Sequence, residues 1–155
     1  MSTTIAINPR IIEGLYSEAL VLSDEVRDAF DMSRREFSII VDDDYARIAL
    51  SCEALRTTTR MMHALAWLLN HRAFCMGELS EFQLRRHSRL SAEYPQAEPD
   101  RVVLLAPPIR TLIGTTERFY ARLIRLDRDW HRFDPGAPTA VSRLRDRLRQ
   151  TVAVN

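Results

Sequence analysis

LYSEALVLSDEVRDAFDMSRREFSIIVDDDYARIALSCEALRTTTRMMHALAWLLNHRAFCM, residues 15–76, contains neither Gly nor Pro. Those two residues interrupt helices most often, so a stretch this long without them leaves room for very long helices. Its second half is apolar at helical spacing. Ile48, Cys52, Leu55, Thr59, Met62, Ala66, Leu69 and Ala73 form one strict four–three stripe, and Ala54, Met61, Leu65 and Leu68 form a second. Between Met61 and Leu69 only His63 is polar. A helix apolar nearly all round must be covered on several sides. Two neighbouring helices are expected to cover part of it and a second subunit the rest, with Met61 and Trp67 at the dimer interface.

Upstream, Asn8-Pro9 opens a first helix: a capping side chain, then Pro in the first turn. Ile12, Leu15, Ala19, Leu22, Val26 and Phe30 make its stripe, which places the helix at 9–31. Residues 32–41 lose the pattern and read as a connector with apolar anchors. Asp42, Asp43 and Asp44 then begin the central helix, 44–76, where carboxylates favour the positive end of the helix dipole. Calcium binding would need spaced ligands, a Gly and a terminal Glu, and these are missing. Gly77 is a favoured left-handed cap.

Downstream, Ser80 and Gln83 form a capping-box pattern that opens a short helix at 81–90. Pro95 and Pro99 mark a loop. Pro107-Pro108 begins the third long helix, 107–131, with the stripe Ile109, Leu112, Thr116, Phe119, Leu123, Leu126 and Trp130. Its span is about 37 Å at the usual rise per residue. Asp134-Pro135-Gly136 ends it, and Thr139 to Gln150 reads as a short amphipathic helix with Arg143, Arg145, Arg147 and Arg149 on its polar face. The fold class is therefore all-α: one domain, 1–155, an elongated three-helix bundle with additional short helices.

Composition narrows function by exclusion. The net charge of +1 provides no global attraction to nucleic acid or an anionic membrane. All 22 basic side chains are Arg, whose forked guanidinium matches carboxylates in bidentate fashion. Cys52 and Cys75 lack zinc-type spacing and read as reduced thiols in a cytosolic protein. No signal-peptide pattern opens the chain, and Met61–Leu69 is too short to cross a bilayer.

No catalytic constellation accompanies the helices. Ser51, Ser80 and Ser88 lack the glycines of a nucleophile elbow, and the four glycines are isolated, so no phosphate-cradling loop forms. His63, Trp67, His71 and Cys75 share one helix face. His71 and Cys75 would reach a common metal, but no third ligand is evident, so a structural role is favoured and neither metal nor cofactor is expected. Arg85, Arg86 and Arg89 raise nucleic-acid binding, which the long helices and near-neutral charge argue against. Arg118, Arg122 and Arg125 share one face of the third long helix and are the candidate docking strip for an acidic partner, with a plain solvated face as the alternative. The residues alone describe a non-enzymatic helical domain.

The run EALRTTTRMMHALAWLLNHRAFCMGE, Glu53 to Glu78, resembles the central helix of the RcdA family, the alphaproteobacterial regulators of CtrA degradation. Leu105 through Ala-Pro-Pro-Ile-Arg to Leu126-Asp127-Arg128 resembles that family's last long helix, and Tyr16–Leu22 fits the first. The resemblance implies a dimeric helical bundle without enzymatic activity. It implies an accessory factor for the ClpXP protease, which a response regulator, CpdR, primes, and which then receives protein substrates, cell-cycle regulators among them, or a further adaptor. It also implies a cytoplasmic protein recruited to a cell pole. The alternative is an Arg-rich, DNA-associated transcriptional regulator. No individual functional residue is carried over from the family, and the basic C-terminal segment stands where its members tend to carry a flexible tail.

Overall fold

The computed structural model describes residues 6–40, 43–93 and 96–132. All regular structure among them is helical: α1 (Pro9–Ile40), α2 (Asp44–Cys75), α3 (Glu81–His87), α4 (Pro99–Val102) and α5 (Pro107–Arg132). The expected segment 139–150 lies outside the described residues.

Local chemistry sets most boundaries. Asn8 Oδ1 accepts the backbone N–H of Arg10 at 2.9 Å, ahead of Pro9 at the first helical position. Asp43 caps α2, its carboxylate accepting from the N–H groups of Tyr45 and Ala46 at 3.0 and 3.4 Å. At the other end Gly77 adopts φ 78°, a left-handed conformation that disfavours any Cβ. The Gly77 N–H donates to Phe74 O at 3.0 Å and the Glu78 N–H to Ala73 O at 2.9 Å, a Schellman close. Ser80 and Gln83 complete a reciprocal capping box at α3.

Three boundaries differ from the sequence reading. α1 does not stop at residue 31; it runs to Ile40. Ser33 is buried and continues the Val26–Phe30 stripe, so the seam persists through a polar residue. The Arg34 guanidinium pairs with Asp31 at 3.3 Å, and neither Gly nor Pro intervenes. α3 ends at His87 rather than 90, because the Leu90 N–H turns toward the Asp127 carboxylate at 3.2 Å. The Pro99 loop contains a single helical turn, α4, with Pro at its start.

α1 and α2 form an antiparallel pair and α5 packs across both, running with α2. The core follows this order. One apolar cluster joins Ile12, Ala19 and Leu22 of α1 to Met61, Ala64, Trp67 and Leu68 of α2 and to Phe119, Tyr120 and Leu123 of α5. A second joins Val26 and Phe30 to Ala49 and Leu50, and to Leu105, Ile109 and Ile113. The buried face of α2 is the row Ala46, Leu50, Glu53, Thr57, Arg60, Ala64, Trp67 and His71. The four–three stripe read from the sequence therefore faces away from this core. Ile48, Leu55, Met62 and Leu69 are exposed, although Met61 and Leu68 of the second stripe are buried.

Candidate functional site

The basic strip predicted on α5 borders a cleft between α1 and α5, lined by Arg118, Phe119, Arg122 and Arg125 with Thr115 and, from α1, Glu18. Spacings of four and three put the three arginines on one helix face. Arg118 Nη2 donates to Thr115 Oγ1 at 3.0 Å. A Cβ at Gly114 would meet Arg118 Nη1 at 3.4 Å, an ordinary contact. Arg122 Nη2 pairs with Glu18 Oε1 at 2.5 Å, and its guanidinium lies 5.2 Å from the centre of the Phe119 ring. Arg125 lines the same cleft with no carboxylate in ion-pair reach among the described residues. The arrangement is three guanidinium groups against one carboxylate, partly exposed. Such a cleft can take a further carboxylate by bidentate pairing, and Glu18 is the internal competitor it would displace.

Sequence reasoning missed a second set of groups, the polar residues buried between the two apolar clusters. Arg60, with no exposed surface, donates from Nη1 to Thr116 Oγ1 at 2.6 Å and approaches Glu117 Oε1 at 3.5 Å. Glu117 Oε1 also accepts the Ala97 N–H at 2.9 Å, and Glu53 Oε1 accepts the Glu98 N–H at 3.1 Å. Arg56 donates to Gln96 O at 3.0 Å and pairs with the Glu98 carboxylate. The connection at 96–101 is thus fastened to α2 and α5 through charged and hydrogen-bonded groups. The only sequence signal was spacing: Glu53, Thr57 and Arg60 fall on the same row as Ala46 and Ala64.

Nearer the other end, Trp67 Nε1 donates to Asp127 Oδ1 at 2.8 Å. His71 lies 4.0 Å from the Trp67 ring and 5.2 Å from the Trp130 ring. Its pKa is lowered to about 4, chiefly by burial and secondarily by His131. Of the four-residue row weighed as a metal site, His63 and Cys75 are exposed while Trp67 and His71 are buried in this aromatic cluster. No group of three His, Cys, Asp or Glu side chains converges among the described residues.

The expected dimer contacts need correction. Met61 and Trp67 are each 2 % exposed within a single chain, enclosed by α1 and α5, so neither is offered to a second copy. Among the Arg residues weighed for nucleic acid, Arg85 pairs with Glu81 at 2.9 Å and stacks 4.4 Å over Trp130, while Arg86 and Arg89 are exposed. Among the described residues no helix is long and apolar enough to cross a membrane.

A family model described as "Protein of unknown function (DUF1465)" matches residues 3–152. No curated protein and no solved structure matches the chain.

Proposed function

Taking as premise that the chain belongs to the DUF1465 family, we propose that it is a non-enzymatic adaptor that promotes regulated proteolysis of cell-cycle regulators by ClpXP. It acts as a homodimer in the cytoplasm, together with the response regulator CpdR, and is recruited to a cell pole. The resemblance of Glu53–Glu78 and Leu105–Arg128 to RcdA proteins names the protease system. The observation that carries the reading is the cleft at Arg118, Arg122 and Arg125, a rigid guanidinium-lined surface suited to an acidic protein segment. A bundle of long helices suits the role: partners held on separate faces meet at raised effective concentration without new chemistry.

Purified ClpXP, CpdR and a candidate substrate test the proposal. Degradation should accelerate on adding the protein and lose that acceleration with Arg118→Glu/Arg122→Glu. An unchanged rate with and without the wild-type chain ends the adaptor reading. The DNA-regulator alternative gains nothing from Arg85, whose guanidinium is committed to Glu81 and Trp130. A gel shift at low and moderate salt addresses it directly.

A further inference from the structure

α2 is apolar on the side its own bundle leaves open. Ile48, Leu55, Met62, Leu69 and Met76 recur every seven residues and are 47–69 % exposed. Between them, in the same stripe, stand Cys52, Thr59, Ala66 and Ala73, all small. This is one seam with large and small positions alternating in strict order. Its charge pattern is equally regular. From Ile48 to Ala73 the charged residues are Glu53, Arg56, Arg60 and Arg72. Glu53 accepts the Glu98 N–H, Arg56 pairs with Glu98, Arg60 with Glu117, and Arg72 with Glu13 at 2.6 Å. All four engage groups of their own chain, so no like charges face each other along the seam.

We propose that this seam is the contact between two copies of the chain, packed antiparallel about a two-fold axis that passes between the two α2 helices at the level between positions 60 and 61. The inference rests on the homodimer reading above and specifies its surface and register. In this register Thr59 meets Met62 of the second copy, Leu55 meets Ala66, Cys52 meets Leu69, and Ile48 meets Ala73. Ile48, Leu55, Met62 and Leu69 each seat on a small side chain, as knobs in holes require, and Met76 at the helix end meets Tyr45 of the second copy. A parallel, in-register pair would instead set large against large and leave the Cys, Thr and Ala layers unfilled, and unfilled layers are destabilising. The antiparallel arrangement also puts each α2 N-terminus beside the other's C-terminus, which the helix dipoles favour. The five large side chains together expose the equivalent of about three whole residues, on the order of 600 Å² per protomer, and the small positions bring this toward the ~800 Å² a side of a standard interface.

The test is disulfide trapping in the full-length chain with Cys52→Ala and Cys75→Ser as background. Adding Leu55→Cys/Ala66→Cys should yield a covalent dimer on mild oxidation. Leu55→Cys alone should not, because the two introduced thiols would lie about 16 Å apart along the axis, beyond disulfide reach. Met62→Glu should weaken the dimer on the order of tenfold or more by analytical ultracentrifugation, with an unchanged helical circular dichroism spectrum. A dimer that crosslinks through Leu55→Cys alone, or fails to crosslink through the pair, overturns the register and leaves the homodimer standing. A monomeric wild-type protein overturns both, whether residues 133–155 or another protein covers the stripe.

Discussion

Trp67 and Asp127 are joined through the core: the indole Nε1 donates to Oδ1 at 2.8 Å, and Oδ2 of the same carboxylate accepts the Leu90 N–H at 3.2 Å. One buried aspartate therefore ties α2, α5 and the end of α3 together. Asp127→Ala leaves two buried donors without an acceptor. Each such loss costs about 1–3 kcal/mol. The expected outcome is a fall in the urea midpoint with an unchanged m-value. Asp127→Asn keeps one acceptor oxygen and should lose about half as much.

The hydroxyls of Thr116 and Thr57 should respond oppositely to the same substitution. Thr116 Oγ1 accepts from Arg60 and donates to Ile113 O at 2.7 Å, so Thr116→Val should destabilise by roughly 1–3 kcal/mol. Thr57 Oγ1 is buried with no hydrogen-bond partner among the described residues. Thr57→Val removes an unsatisfied hydroxyl at nearly constant shape and should be neutral or stabilising, by up to about 1 kcal/mol. Equal losses at both positions would contradict this assignment.

His71 makes stability depend on pH. Its folded-state pKa of about 4 lies below the ordinary value of 6.5. Protons therefore bind the unfolded chain first. Stability is fully present above about pH 6.5 and declines as pH falls toward 4, where the folded chain also protonates. The loss attributable to this group is on the order of 2–3 kcal/mol. Denaturant titrations across that window should show this loss in wild type and its absence in His71→Phe.

Gly77→Ala tests the close of α2. No atom would crowd the new Cβ, but φ stays at 78°. The expected loss is about 1–2 kcal/mol, from backbone strain alone.

In the cleft, charge reversal at Arg118 and Arg122 should slow association with an acidic partner and flatten its salt dependence. Surface plasmon resonance at several ionic strengths reads both effects. Glu18→Gln should act the other way, since it releases Arg122 from its internal carboxylate.

Helix positions were legible where end chemistry is local. Asn8-Pro9, Gly77, Ser80–Gln83 and Pro107 each mark a terminus that the structure retains within a residue. The end of α1 was not legible, because Ser33 carries the seam onward as a polar residue. The orientation of α2 was harder still. Hydrophobicity favours the Ile48–Leu55–Met62 side as core, yet Glu53, Thr57, Arg60 and His71 face inward. The partners of Glu53 and Arg60, namely Glu98, Thr116 and Glu117, come from distant segments, which spacing along one helix cannot reveal. The Arg118–Arg125 strip was visible as a face, but Glu18 enters from another helix and was not.

The polar layer at Arg60 also fixes how the helices stand lengthwise. Sliding α2 one turn along α5 would carry the guanidinium about 5 Å away from Thr116 and into apolar neighbours. Aliphatic layers alone would tolerate such a slip far better. The bundle is consequently indexed as well as packed, and the cleft on α5 keeps a set offset from the outer flank of α2, like two notches on one key.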